Sequence, residues 1–132
     1  MTDTLIVVQA QASVTLPGSD AAFVVPSGQA VTLHEVIVDQ PSAQTAVYRF
    51  RFLAPEIARN GGTMNFEASI GDMQQLCNSY AVAQIMPPMP AATQVIIAFS
   101  DMALPFGETN PDATQFFMAF GIVDGVCVLE PY

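Results

Sequence analysis

The side chains able to do chemistry are few: one histidine, His34, two cysteines, Cys77 and Cys127, and three arginines, Arg49, Arg51 and Arg59, set among twelve acids. A histidine acting as general base needs a carboxylate to orient it. Glu35 is its chain neighbour, and on a strand successive side chains point to opposite faces. No G-x-S-x-G or H-E-x-x-H pattern supplies a nucleophile or a zinc pair. His34 is therefore expected to be an ordinary strand histidine, bonded to backbone or to solvent. One histidine and two distant cysteines do not complete a zinc set, and Glu108 and Asp112 lack EF-hand spacing. No metal, cofactor or catalytic set is expected.

The arginines offer more. Arg49 and Arg51 are an i, i+2 pair, about 7 Å apart on one strand face. They could clamp a carboxylate or phosphate, or be neutralised by Glu35 and neighbouring acids. Arg59-Asn60-Gly61-Gly62-Thr63 precedes an expected helix, whose first backbone N–H groups favour anions. Ser100 and Asp101 end the strand expected to lie alongside, the edge where α/β sheets bind ligands. Arg59, Gly61, Gly62, Thr63, Ser100 and Asp101 form the candidate ligand site. A plain loop and helix cap would explain the same glycines, since Gly-Gly is not a P-loop.

The elements that must position these groups follow from periodicity. Residues 13–30 are rich in small residues, Gly, Pro and Ser, and suggest an entry segment with turns and one short strand near 22–25. Residues 31–39 and 46–53 alternate with period 2. Paired as a hairpin with Asp39 opposite Val47, they set Glu35 against Arg51, Ile37 against Arg49, Val36 against Phe50 and Val38 against Tyr48. On this alternation His34 shares a face with Val36 and Val38. Thr63 or Asn65 can cap a helix over about 64–85, with Phe66, Ile70, Met73, Cys77 and Tyr80 along one face. Pro87, Pro88 and Pro90 stop it. Residues 94–100 are apolar on both faces, as in a buried strand parallel to its predecessor. Residues 104–112 form a long loop, and Asp124-Gly125 turns a final hairpin. The sum is an α+β fold: a mixed or mostly antiparallel sheet of 4–6 strands with one main helix on one face.

Composition narrows the functions. The chain has 132 residues, 52% hydrophobic and 11% charged, with net charge −9. That length suits one domain, and the apolar content argues against intrinsic disorder. The acidity excludes nucleic acid and anionic membranes, and no apolar run approaches a membrane span. Residues 1–25 are expected to be an N-terminal segment, either a peripheral strand or a remnant of a secretion signal, with 26–132 as the folded domain. Ala10-Gln11-Ala12 follows a short apolar run at 5–8, but no positive residues precede it. Cys77 and Cys127 are either bridged, which requires an oxidising compartment, or two free buried thiols. Residues 86–90 and 104–112 carry Met86, Met89, Leu104 and Phe106, an adaptable contact patch for a protein partner.

These landmarks together resemble an uncharacterised family of small exported alphaproteobacterial proteins, a domain of unknown function. The matching residues are Pro26-Ser27-Gly28-Gln29, Val31-Thr32-Leu33-His34-Glu35-Val36, Arg49-Phe50-Arg51-Phe52-Leu53-Ala54-Pro55, Asp72-Met73, Leu76-Cys77, Pro105-Phe106-Gly107, Ala113-Thr114-Gln115-Phe116-Phe117, and Asp124-Gly125 with Cys127. The resemblance covers about residues 26–132. It departs where family members carry an aromatic and a glycine near the end and this chain has Leu129 and Pro131. It implies a periplasmic or secreted domain with Cys77 bonded to Cys127, and no activity. The expected function is a non-enzymatic exported protein that binds a protein partner or small ligand, as a monomer or within a complex. The alternatives are a small hydrolase using His34 or the Arg59/Asp101 edge, and an accessory subunit of a cell-envelope assembly.

Overall fold

The computed structural model describes residues 13–40, 44–86 and 89–130. Six strands, β1 (Ser13–Ala22), β2 (Thr32–Asp39), β3 (Thr45–Leu53), β4 (Ala91–Ser100), β5 (Gln115–Val123) and β6 (Val126–Leu129), form one sheet in sequential order. Only β3 and β4 are parallel. Between them runs the main helix, α1 (66–84), made of an α-helical stretch Phe66–Leu76, a π-helical stretch Cys77–Ala81 and a last turn Val82–Gln84. A parallel pair needs such a crossover, whereas the antiparallel neighbours need only turns.

The α+β class and the single main helix are as expected, and the β2–β3 register is the one that charge and apolar matching selects. Glu35 faces Arg51, Ile37 faces Arg49, Val36 faces Phe50 and Asp39 faces Val47. Asn65, not Thr63, caps α1: its side-chain oxygen accepts from the Ala68 N–H at 2.8 Å. Asp124 (φ 53) and Gly125 (φ 78) both take positive φ, as a two-residue hairpin turn requires.

Two expectations are corrected. Residues 13–22 are not turns but β1, an edge strand exposed along its whole length. Pro17 is tolerated there because an edge strand leaves one row of N–H groups unpaired. The buried face of α1 keeps Met73 and Cys77, with Ile70 and Tyr80 packed against the core, and departs from expectation at Phe66. Ser69, Asp72, Met73, Leu76, Cys77 and Ala81 are buried, while Phe66 is 40% exposed. The buried positions Ser69, Met73, Cys77 and Ala81 are four apart throughout.

The core lies between α1 and one sheet face, with Tyr48, Phe50, Phe52, Val95, Ile97, Phe99 and Phe120 almost wholly buried. Tyr80 meets Phe23, Phe50 and Phe52 edge-on, at centroid distances of 4.9, 6.0 and 6.5 Å. Burial pushes the Tyr48 hydroxyl pKa up, and that hydroxyl donates to the Pro90 carbonyl at 2.5 Å. Asp72, fully buried, accepts from Ser27 N–H at 2.9 Å, Ser27 Oγ at 2.5 Å and Gln29 Nε2 at 2.8 Å. Those bonds fasten the β1–β2 connection to the helix. A disulfide joins Cys77 to Cys127, and the Cys127 N–H donates to Asn78 Oδ1 at 2.8 Å. Both contacts tie the π stretch to β6. Among the described residues no helix is long and apolar enough to cross a membrane.

Candidate functional site

Among the described residues no second helix covers the sheet face opposite α1. That face is partly covered by residues 101–114, the connection from β4 to β5, which we call the strap. The side chains beneath it come from alternate strand positions: Glu35, Ile37 and Asp39, then Arg49 and Arg51, Ile96 and Ala98, and Gln115 and Phe117.

A β-bulge reshapes one corner of this face. Leu33 pairs with Phe52 and Glu35 with Arg51, so His34 is the extra residue between them. Such a residue breaks strict alternation and re-aims its side chain. His34 therefore leaves the face of Val36 and Val38 that alternation assigns it, and lies with Glu35 on the strap side. The two line one cleft of about 480 Å³ with Ser13, Thr15 and Leu104. His34 also lines a smaller hollow of about 50 Å³ with Arg51 and Ser100. The polar neighbours of His34 are engaged elsewhere. Ser100 Oγ donates to the Met102 carbonyl at 2.7 Å, and Glu35 is ion-paired to Arg51. Among the described residues His34 makes no side-chain hydrogen bond to either.

Arg49 pairs with Asp39 and Arg51 with Glu35. Arg51 Nη2 also donates to the Leu104 carbonyl at 2.8 Å. Above both guanidinium groups lies the Phe106 ring, its centroid 5.4 Å from the Arg49 and 5.5 Å from the Arg51 carbon centre, within cation–π range. The arginine pair is thus neutralised along its edges and covered by an aromatic ring, which leaves it a poor anion clamp.

The strap is fastened mainly at its ends. The Asp101 N–H donates to the Thr114 carbonyl at 3.1 Å, and the Thr114 N–H donates to Asp101 Oδ1 at 2.8 Å. Arg59 donates to the carbonyls of Ala113 at 3.1 Å and Pro111 at 2.5 Å. Its own N–H donates to Thr114 Oγ1 at 3.2 Å. The six candidate ligand residues are accordingly divided. Arg59, Gly62 and Thr63 line a cleft of about 480 Å³ with Asn65, Thr114 and Phe116. Ser100 lies in the hollow beside His34, and Asp101 is occupied by the strap. The glycines have conformational reasons: Gly61 has φ +85, and a Cβ on Gly62 would stand 2.2 Å from the Ala58 carbonyl oxygen.

Of the two loops expected to contact a partner, 104–112 forms most of the strap, with Leu104 buried and Phe106 53% exposed. In 86–90, Met86 is exposed while Met89 packs on the core; residues 87 and 88 lie outside the described residues. Sequence reasoning missed Phe117. It is 66% exposed and lines a cleft of about 370 Å³ with Arg49, Arg51, Ile96, Ala98 and Phe106. The available signal was the doublet Phe116-Phe117 on one strand, since adjacent strand residues cannot both face the core. Phe116 takes the core side and meets Phe66 at 5.4 Å.

A family model described as "Family of unknown function (DUF6497)" matches residues 5–132. The chain belongs to this family. The match includes β1, so the family unit begins well before residue 26. No curated protein and no solved structure matches the chain.

Proposed function

We propose that this chain is a non-enzymatic, exported binding domain that takes a protein partner on the strap-bearing face of its sheet. One observation carries the reading: Phe106 and Phe117, 53% and 66% exposed, stand together on that face. Contiguous exposed apolar side chains rimmed by polar ones mark interaction surfaces. Both arginines among them are paired with carboxylates, so docking would not bury an unpaired guanidinium, while Glu108 adds an acid to the rim. Export is supported by the Cys77–Cys127 bond, because such bonds persist in oxidising compartments.

The test is site-specific photo-crosslinking in the source cells. A photoreactive residue at position 117 is expected to give one discrete adduct, and the same residue at Gln75, on the exposed side of α1, none. Equal labelling at both positions, or none at 117, would overturn the assignment. Fractionation with thiols blocked at lysis tests export: the oxidised chain belongs outside the cytoplasm, and recovery of cytoplasmic chain with both thiols free would refute it.

A further inference from the structure

Phe106 and Phe117 do more than expose apolar area. They line one cleft together with Ile96, Ala98, Arg49, Arg51 and Glu108. We infer that this cleft receives a planar aromatic side chain of the partner, an inference that rests on the strap-face reading above.

Volume, charge and an internal precedent all point to that ligand class. An apolar cavity of roughly 150 Å³ accommodates benzene, so about 370 Å³ has room for a bicyclic ring. The guanidinium groups already have carboxylate partners, Asp39 and Glu35. A ligand carboxylate would have to compete with those acids in a chain of net charge −9. A neutral ring meets no such competition, and it can stack on the exposed Phe106 and Phe117 rings while the ion pairs stay intact. The precedent is Phe106 itself, an aromatic ring held against both guanidiniums. The cleft thus repeats for an incoming ring the aromatic and cationic surroundings that the strap supplies to its own. An aliphatic side chain would fill the space but gain nothing from the arginines.

The test uses the intact protein and three probes: N-acetyl-tryptophanamide, N-acetyl-leucinamide and acetate. The chain contains no tryptophan, so indole fluorescence reports the first probe without background, and NMR of the arginine Nε–H groups follows all three. The aromatic probe is expected to bind and to shift the Arg49 and Arg51 resonances, with the other two having little effect. Arg49→Gln should weaken that binding about two- to five-fold, and Phe117→Ala should weaken it further. Gln75→Ala, on the far face, should leave it unchanged. Stronger response to acetate would make the site an anion clamp, and equal response to the leucine amide would make it a generic apolar groove; either result overturns the inference. So does the absence of binding by every probe. If position 117 still crosslinks to a partner in that case, the aromatic slot fails while the binding face stands.

Discussion

A methyl group on Gly18 would stand 2.0 Å from the Leu33 carbonyl oxygen and 2.2 Å from that of His34. The bulge brings the β2 backbone up against β1 at this point, and only a residue without a Cβ fits. Gly18→Ala must therefore push β1 away or undo the bulge, at a cost of about 1–3 kcal/mol by analogy with overpacking. Gly71 is the control. A Cβ there meets nothing within 4 Å, and alanine in a helix is favoured by roughly 0.5–1 kcal/mol. Urea denaturation should lower the midpoint for Gly18→Ala and raise it for Gly71→Ala. Equal midpoints for the two variants would mean that β1 contributes no stability. The residue scale also shows where sequence reasoning stopped. The Arg51–Glu35 pair was legible because matching charges and matching apolar positions agree on one register. The side that His34 faces was not, because the bulge depends on contact with a strand whose Leu-Pro-Gly-Ser-Asp sequence resembles a turn.

At the scale of elements, helix and edge strand hold each other. β6 has only four residues and a single strand neighbour, β5. Its other attachments are the disulfide to Cys77 and the Asn78 bond, both from the π stretch of α1. Helical periodicity alone did not reveal the π stretch. Cys77 was nonetheless legible as core-facing, since Met73 and Cys77 are four apart. The bond closes a separation of 50 residues, worth about 4 kcal/mol in the chain-entropy model. A Cys77→Ala, Cys127→Ala double variant is expected to lose about that much stability. Hydrogen exchange should accelerate first in β6 and in the second half of α1, with β2 and β3 still protected. Uniform acceleration across the sheet would show instead that the bond stabilises only through the unfolded chain.

Over the whole molecule the charges are unevenly placed. All three arginines fall within residues 49–59, while the twelve acids run the length of the chain. Among the described residues only Asp39 and Glu35 are ion-paired with arginine. Two effects of salt then oppose each other. Screening weakens the two arginine pairs, which are partly exposed and worth roughly 0–1 kcal/mol each. It also relieves repulsion among the remaining carboxylates, an effect of the net charge of −9 on the compact state. The pairs are short-range and partly shielded by Phe106. The repulsion acts across many longer distances, where a Debye length falling from about 10 Å at 0.1 M to about 3 Å at 1 M removes most of it. Relief of repulsion should win. Raising sodium chloride from low to molar concentration is expected to stabilise the fold by about 1 kcal/mol, a rise in melting temperature of roughly 2–8 °C. Sodium chloride, unlike sulfate, has little effect on apolar burial, so the shift isolates the charge term. A fall in melting temperature would mean that the Arg49–Asp39 and Arg51–Glu35 pairs dominate the electrostatics, and that the strap face is held by its charges more than by its rings.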